Sequence, residues 1–213
     1  AAHDLKSPLR HVSGVLTVLE EDHGADLPGE ARDLVEEARS SAERMQSLMV
    51  TLLAHARSGA APLAMERLDL AELVADVEAE LAEGLRETDG RVEIAAPLGY
   101  ASGDRVLVRQ LLANLIGNSV KYRAPDRAPV IRISVERFSD GLRLWVRDNG
   151  MGFDNAFAER IFEPFNRLHA ANEVEGSGVG LATCRTICRR HGWRISAEGI
   201  PGEGAAFRID LPV

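Results

Sequence analysis

Several things are scarce in this sequence, and each scarcity removes a class of protein. No apolar run approaches the roughly 20 residues that cross a bilayer as a helix, and no secretory leader precedes the first helical pattern. The sequence therefore reads as a cytoplasmic fragment that makes no membrane contact of its own. There are two cysteines, Cys184 and Cys188. Four residues apart in a helical pattern, they share one face and are poorly placed for a disulfide, which suits a reducing compartment. A basic excess is missing too: 25 Lys and Arg against 33 Asp and Glu give a net charge of −8, which argues against a nucleic-acid binder. His11, His23, His55, His169 and His191 have no metal-ligand spacing, so a zinc site is not expected. Internal repeats and low-complexity tracts are absent.

What is present is a chain of 213 residues with 45% hydrophobic content, enough for one large core or two modest ones. Residues 1–58 read as two helices. The first carries Leu5, Leu9, Val12, Val15, Leu16 and Leu19 at steps of three and four, and fades over Asp22–Asp26. Pro28 suits the opening of the second, which carries Leu34, Val35, Ala38, Met45, Leu48, Leu52 and Leu53. A two-helix hairpin cannot bury both apolar faces alone, and pairing two copies into a four-helix bundle is the simplest remedy. The pattern is already helical at the first residues, as in a fragment whose upstream input region is absent.

Ser58-Gly59-Ala60-Ala61-Pro62 breaks the pattern, and 59–66 reads as a linker. From 67 to 213 helix and strand signals mix. Helices are expected over Leu70–Leu85, Asp104–Tyr122 and Gly180–His191. Strands are expected over Arg91–Ala95, Val130–Phe138, Leu142–Asp148, Arg194–Ala197 and Ala206–Leu211. The fold class is α+β, with a mixed sheet covered by helices on one face.

Chemistry concentrates in short motifs. In Asn114-Leu-Ile-Gly-Asn118-Ser-Val-Lys121-Tyr122, Asn114 and Asn118 share a helical face and Lys121 lies close to it. Two amide oxygens and an ammonium suit a triphosphate whose charge is shared with a hard cation such as Mg2+. In isolation, two solvated asparagines are the commoner explanation. Asp148 ends an apolar strand where the chain turns at Asn149-Gly150-Met151-Gly152; a carboxylate there can accept from an exocyclic amine while glycine lets backbone approach the base. As a bare tripeptide, Asp-Asn-Gly is more often only a turn. Gly176-Ser-Gly178-Val-Gly180-Leu181 opens a helix and can present N–H groups to phosphate, although no strand leads into it as in nucleotide loops of other classes. The polar stretch Asn166–Glu175 suits a lid. His3 is followed directly by Asp4, with Pro8 inside the helical pattern. Neutral imidazole is a nucleophile, and a neighbouring carboxylate can orient it and hold developing charge.

In this order and spacing the motifs resemble the H, N, G1, F and G2 boxes of sensor histidine kinases, over nearly the whole chain from His3 to Pro212. The wording His-Asp-Leu-Lys-Ser-Pro-Leu-Arg and Phe-Asn-Arg-Leu-His is most similar to the bacteriophytochrome-related branch. The resemblance implies a dimerisation and phosphotransfer hairpin followed by a GHKL (Bergerat) ATP-binding domain, the type shared with gyrase, Hsp90 and MutL. It implies His3 as phosphoacceptor with Asp4 as its activating acid, and Asn118 as magnesium ligand. Asn114, Lys121 and Tyr122 would line the nucleotide, Asp148 would bind adenine with Gly150 and Gly152 as its turn, and Gly176, Gly178, Gly180 and Leu181 would form the hinge and phosphate loop. Arg167 would reach the γ-phosphate. ATP, Mg2+, a second copy of the chain and a response-regulator receiver domain are the implied partners.

Three departures stand out. Ser7 replaces the Thr or Asn usual four residues after the histidine, which leaves phosphatase activity open. Trp193 follows His191-Gly192 where glycine is commoner, and it is expected to fill a packing gap or make a surface contact. Ala206 stands where Ser or Thr is frequent, with looser hydrogen bonding around the base expected. Competing readings are a catalytically silent adaptor that binds a response regulator, an ATP-driven conformational machine and an anti-sigma kinase. The first would have let the nucleotide motifs decay; the second lacks a transducer domain; the third lacks the histidine hairpin.

Overall fold

The computed structural model describes residues 14–19, 62–166 and 178–212, with scattered positions from 27 to 39. The chain divides into two compact units, Ala1–Ala61 and Pro62–Val213. In the first, residues 14–19 are helical. Val15, Val18 and Leu34 are 53%, 54% and 65% exposed there. His3, Asp4 and Ser7 lie outside the described residues, as do Arg167 and Gly176. Among the described residues no helix is long and apolar enough to cross a membrane.

The second unit runs β1 (Met65–Asp69), α1 (Leu70–Glu80), α2 (Ala82–Glu87), β2 (Arg91–Ile94), β3 (Tyr100–Asp104), α3 (Arg105–Lys121), β4 (Val130–Phe138), β5 (Gly141–Asp148), two 3-10 turns (Asn155–Phe157 and Arg160–Phe162), α4 (Gly180–Arg190), β6 (Arg194–Ile200) and β7 (Gly204–Pro212). Five strands form a mixed sheet in the order β2-β4-β5-β7-β6, with β2 and β4 parallel and the other pairs antiparallel. Alternation places Ile131 and Ile133, Leu144 and Val146, and Phe207, Ile209 and Leu211 on one buried face. Leu73, Val74 and Val77 of α1, Leu111, Leu112, Leu115 and Ile116 of α3, and Cys184, Ile187 and Cys188 of α4 close the same core. Both thiols thus face the core, as their spacing predicts. Burial pushes the Cys188 thiol up to about 12 and Cys184 higher still, so neither is a reactive thiolate.

Helix starts follow acidic caps. Asp69 accepts from the N–H groups of Ala71 (2.9 Å) and Glu72 (3.3 Å), and Asp104 accepts from Leu107 (3.2 Å). Two expectations are corrected. The helix expected over Leu70–Leu85 parts at Leu81, whose φ of −93° and ψ of 7° leave the helical basin, and restarts as α2. The stretch read as a linker to residue 66 already contains the start of β1 at Met65, because the strand pairs along its length with β3.

Trp193 resolves as packing. It is 7% exposed, its ring centroid is 4.4 Å from that of His191, and its far edge stands 3.2 Å from where a Cβ on Gly103 would sit. His191 caps α4 and ties it to the cap of α3: Nε2 accepts the Asp104 N–H (3.0 Å), while Nδ1–H donates to the Ile187 carbonyl (2.8 Å). One neutral tautomer satisfies both bonds.

Candidate active site

The Asp148 carboxylate is the best-defined polar centre on the helix-covered side of the sheet. It follows the buried Val146 by one alternation step, so its side chain projects from the end of β5 toward α3. Oδ1 accepts from the N–H groups of Gly150 (2.9 Å) and Ala205 (3.1 Å). The Ser119 hydroxyl stands 3.1 Å from Oδ2 and 3.2 Å from the Leu115 carbonyl. Burial raises the Asp148 carboxyl above the ordinary carboxylate range, opposed by the hydrogen bonds from Gly150, Ala205 and Ser119. A desolvated carboxylate held by three donors keeps lone pairs for a further donor, as an exocyclic amine would supply.

The turn that follows depends on backbone apposition. A Cβ on Gly150 would strike the Tyr122 carbonyl oxygen, and Met151 N–H donates to that same oxygen (2.9 Å). Gly152 sits at φ +63°, and a Cβ there would collide with the carbonyl oxygens of Ile200 and Gly204. The Asn149 side chain accepts from Val130 N–H (2.8 Å) and donates to the Ala128 carbonyl (3.0 Å). From the same loop, Arg127 donates to the carbonyls of Asn149 (2.8 Å), Gly150 (3.3 Å) and Gly202.

The helix motif borders this turn through its cap. Tyr122 N–H donates to Asn118 (2.8 Å), and Lys121 Nζ lies 5.1 Å from the Tyr122 ring centroid. Asn118, Lys121 and Tyr122 are all part-buried. Asn114 sits one turn earlier, its Oδ1 3.6 Å from where a Cβ on Gly180 would lie, and its side chain neighbours the buried Cys184 thiol as a hydrogen-bond partner. The N-terminus of α4 carries no side-chain cap among the described residues, so backbone N–H groups of its first turn can serve an anion. Gly178 precedes it at φ +68°, its carbonyl accepting from Phe165 N–H (3.0 Å), while Leu181 is part-buried against the core. A helix start with no side-chain cap and a partly satisfied carboxylate fit a nucleotide with its phosphates at α4 and its base at Asp148.

Of the residues singled out in the sequence, Asn114 and Gly180 stand together, and Tyr122 stands with Gly150 and Asp148. The expectation for Ala206 is corrected. It pairs with Arg147 and lies on the sheet face away from Phe207 and the helices, whereas the contact to Asp148 comes from the backbone of Ala205. No side-chain change at Ala206 removes that bond. Sequence reading missed Ser119, Arg127 and Asn149 as supports. Ser119 lies inside the helical motif and is almost fully buried, a polar residue on a core face, and that was the one available signal.

Comparison with known proteins agrees with the geometry. Residues 1–61 match the model of the His Kinase A (phospho-acceptor) domain, and residues 103–213 match that of the histidine kinase-, DNA gyrase B- and HSP90-like ATPases. The chain is 34% identical over 213 residues to the phytochrome-like protein Cph1 of Synechocystis sp., covering all of this chain and 28% of that protein. It is 33% identical over 223 residues to the adaptive-response sensory kinase SasA of Thermosynechococcus vestitus, covering 58% of it. Full-length ShkA in complex with AMPPNP superimposes with a TM-score of 0.70 at 28% identity, over 99% of this chain and 44% of that one. The catalytic domain of the histidine kinase ThkA gives a TM-score of 0.59 at 26% identity over 70% of this chain and 96% of that domain. The chain thus spans under a third of its phytochrome relatives' length. Two matched domains in this order, and relatives aligned end to end with the chain, show that it belongs to the sensor histidine kinases, as a catalytic core of the phytochrome-related branch.

Proposed function

We propose that this core phosphorylates itself on His3 from ATP and passes the phosphoryl group to an aspartate of a response-regulator receiver domain. The observation that carries the reading is the Asp148 carboxylate, desolvated and held by Gly150, Ala205 and Ser119, at the end of the sheet beside the Asn114–Tyr122 helix. Asp148 accepts from the adenine amine, and Gly150 and Gly152 let the backbone close on the base. Asn118 supplies an amide oxygen to Mg2+, with Asn114, Lys121 and the Gly178–Leu181 helix start on the phosphates. Gly176 completes the hinge. When bound, ATP supplies the transferable phosphoryl group and Mg2+ offsets its charge.

On the acceptor side, the His3 imidazole attacks the γ-phosphorus as the bond to the bridging oxygen breaks, and ADP leaves. Asp4 orients the ring and balances the imidazolium, while Arg167 offsets charge on the transferring group. The hairpin runs over 1–58, and the catalytic unit starts no later than Met65, where β1 opens, which shortens the linker. The exposed Val15, Val18 and Leu34 favour a homodimer through the hairpin, working in the cytoplasm.

Incubation with γ-labelled ATP and Mg2+ tests the reading. Wild type should take up label that is acid-labile and base-stable, and His3→Ala should take up none. Label retained in His3→Ala refutes it.

A further inference from the structure

We propose that Arg127 is a positioning residue for the base-binding turn, setting nucleotide affinity without touching the nucleotide; this rests on the reading of Asp148 as the adenine acceptor. Arg127 lies in the loop between α3 and β4. Its planar guanidinium reaches two separate turns, donating to the carbonyls of Asn149 and Gly150 after β5 and to that of Gly202 between β6 and β7. The first of these turns, and the start of β7 just after the second, carry the backbone donors that hold Asp148. Gly150 gives its N–H to Oδ1 directly, and Ala205, three residues beyond Gly202, gives the second. The fork therefore acts beside the Gly202–Met151 bond in joining the segments whose two N–H groups aim the carboxylate.

The opposite direction is stitched by Asn149, whose side chain takes the Val130 N–H and returns a bond to Ala128. Loop and turn are thus bonded both ways; Gly202 is tied to the turn by its own N–H, which donates to the Met151 carbonyl (2.7 Å), and to the loop by Arg127. A rigid fork suits this task and a lysine does not, because a single ammonium cannot keep the fixed spread of planar donors. The role is separable from core packing. Arg127 is surface-exposed, and its ion pair with Asp126 is long at 3.8 Å against a carboxylate that is 71% exposed. Removing the guanidinium takes away bonds to the turns and leaves the buried apolar cluster intact.

The test uses the whole 213-residue chain with Arg127→Ala and, in case that variant folds poorly, Arg127→Gln, which can keep one donor. Three quantities are measured: Kd for ADP with Mg2+ by calorimetry, the autophosphorylation rate at saturating ATP, and Tm without nucleotide. The expected result is a Kd raised about tenfold, a saturating rate within about twofold of wild type, and a Tm within a few degrees. Unchanged ADP affinity overturns the proposal. So does a Tm collapse in both variants with rate and affinity falling together, which is a purely structural role. Asp148→Asn separates this from failure of the underlying reading. If Asp148→Asn weakens ADP binding and Arg127→Ala does not, only the role of Arg127 fails; if Asp148→Asn leaves ADP affinity intact, the adenine assignment itself fails.

Discussion

Replacing Asp148 by asparagine should separate fold from binding, because the two oxygens of the carboxylate do different work. Oδ1 holds the turn through Gly150 and Ala205, and the amide oxygen of asparagine can take over both bonds. Oδ2 becomes an NH2 group. The Ser119 hydroxyl, 3.1 Å away, can rotate to accept from it. Toward the base, a donor now meets a donor. Losing a charge-assisted bond there costs about 1.5–3 kcal/mol, so ADP affinity should fall on the order of 10- to 150-fold.

Stability should move the other way. The folded Asp148 binds its proton more tightly than the unfolded chain does, since burial raises its pKa. Its contribution is therefore full below the ordinary carboxylate range and is lost as pH rises through the raised folded value. Above that raised value the wild type carries a desolvated charge that asparagine lacks. Without nucleotide, Asp148→Asn should thus melt no lower than wild type at pH 7–8, while the upward Tm shift produced by a fixed ADP concentration shrinks. Thermal unfolding of both proteins, with and without ADP, across pH 4–8 measures this. A variant that melts well below wild type at neutral pH, or that keeps the full ADP shift, refutes the assignment.

Two further outcomes follow from the same structure. Gly152→Ala places a Cβ at φ +63° against the Ile200 and Gly204 carbonyls, so unfolding free energy should fall by more than about 1 kcal/mol and ADP binding should weaken with it. Denaturant titration and calorimetry report the two effects. His191→Leu leaves the Asp104 N–H and the Ile187 carbonyl without their ring partner, a loss of about 1–3 kcal/mol visible in denaturant titration, with the ADP-induced Tm shift retained.

Much of the architecture was legible because local signals agree with the tertiary outcome. The helix expected from Asp104 is α3, apolar residues repeat along it, and β4 and β5 alternate around Ser139-Asp140-Gly141. The β1–β3 pair was not legible. Met-Glu-Arg-Leu-Asp buries only Leu68 fully, and Tyr-Ala-Ser-Gly-Asp has no apolar alternation, so each strand exists through the other. The site divides similarly. Asp148 is marked by its place at a strand end, yet Ser119 and Ala205 reach it from 29 and 57 residues away, and Arg127 grips Gly202 across 75. Such supports are set by chain apposition, which short motifs do not encode. Trp193 shows the same limit: its departure from glycine is plain in sequence, but its partner Gly103 is found only in the fold.

The most direct test of phosphotransfer to His3 is to locate the phosphate. In the 213-residue chain, trypsin cleavage after Lys6 releases residues 1–6, which hold His3 and no Ser, Thr or Tyr. After incubation with ATP and Mg2+, mass spectrometry under neutral-to-basic conditions should find that peptide carrying one phosphoryl group, lost on brief acid treatment. A phosphorylated chain in which this peptide is unmodified, with the phosphate on His11 or on a hydroxyl side chain, would contradict the assignment of His3.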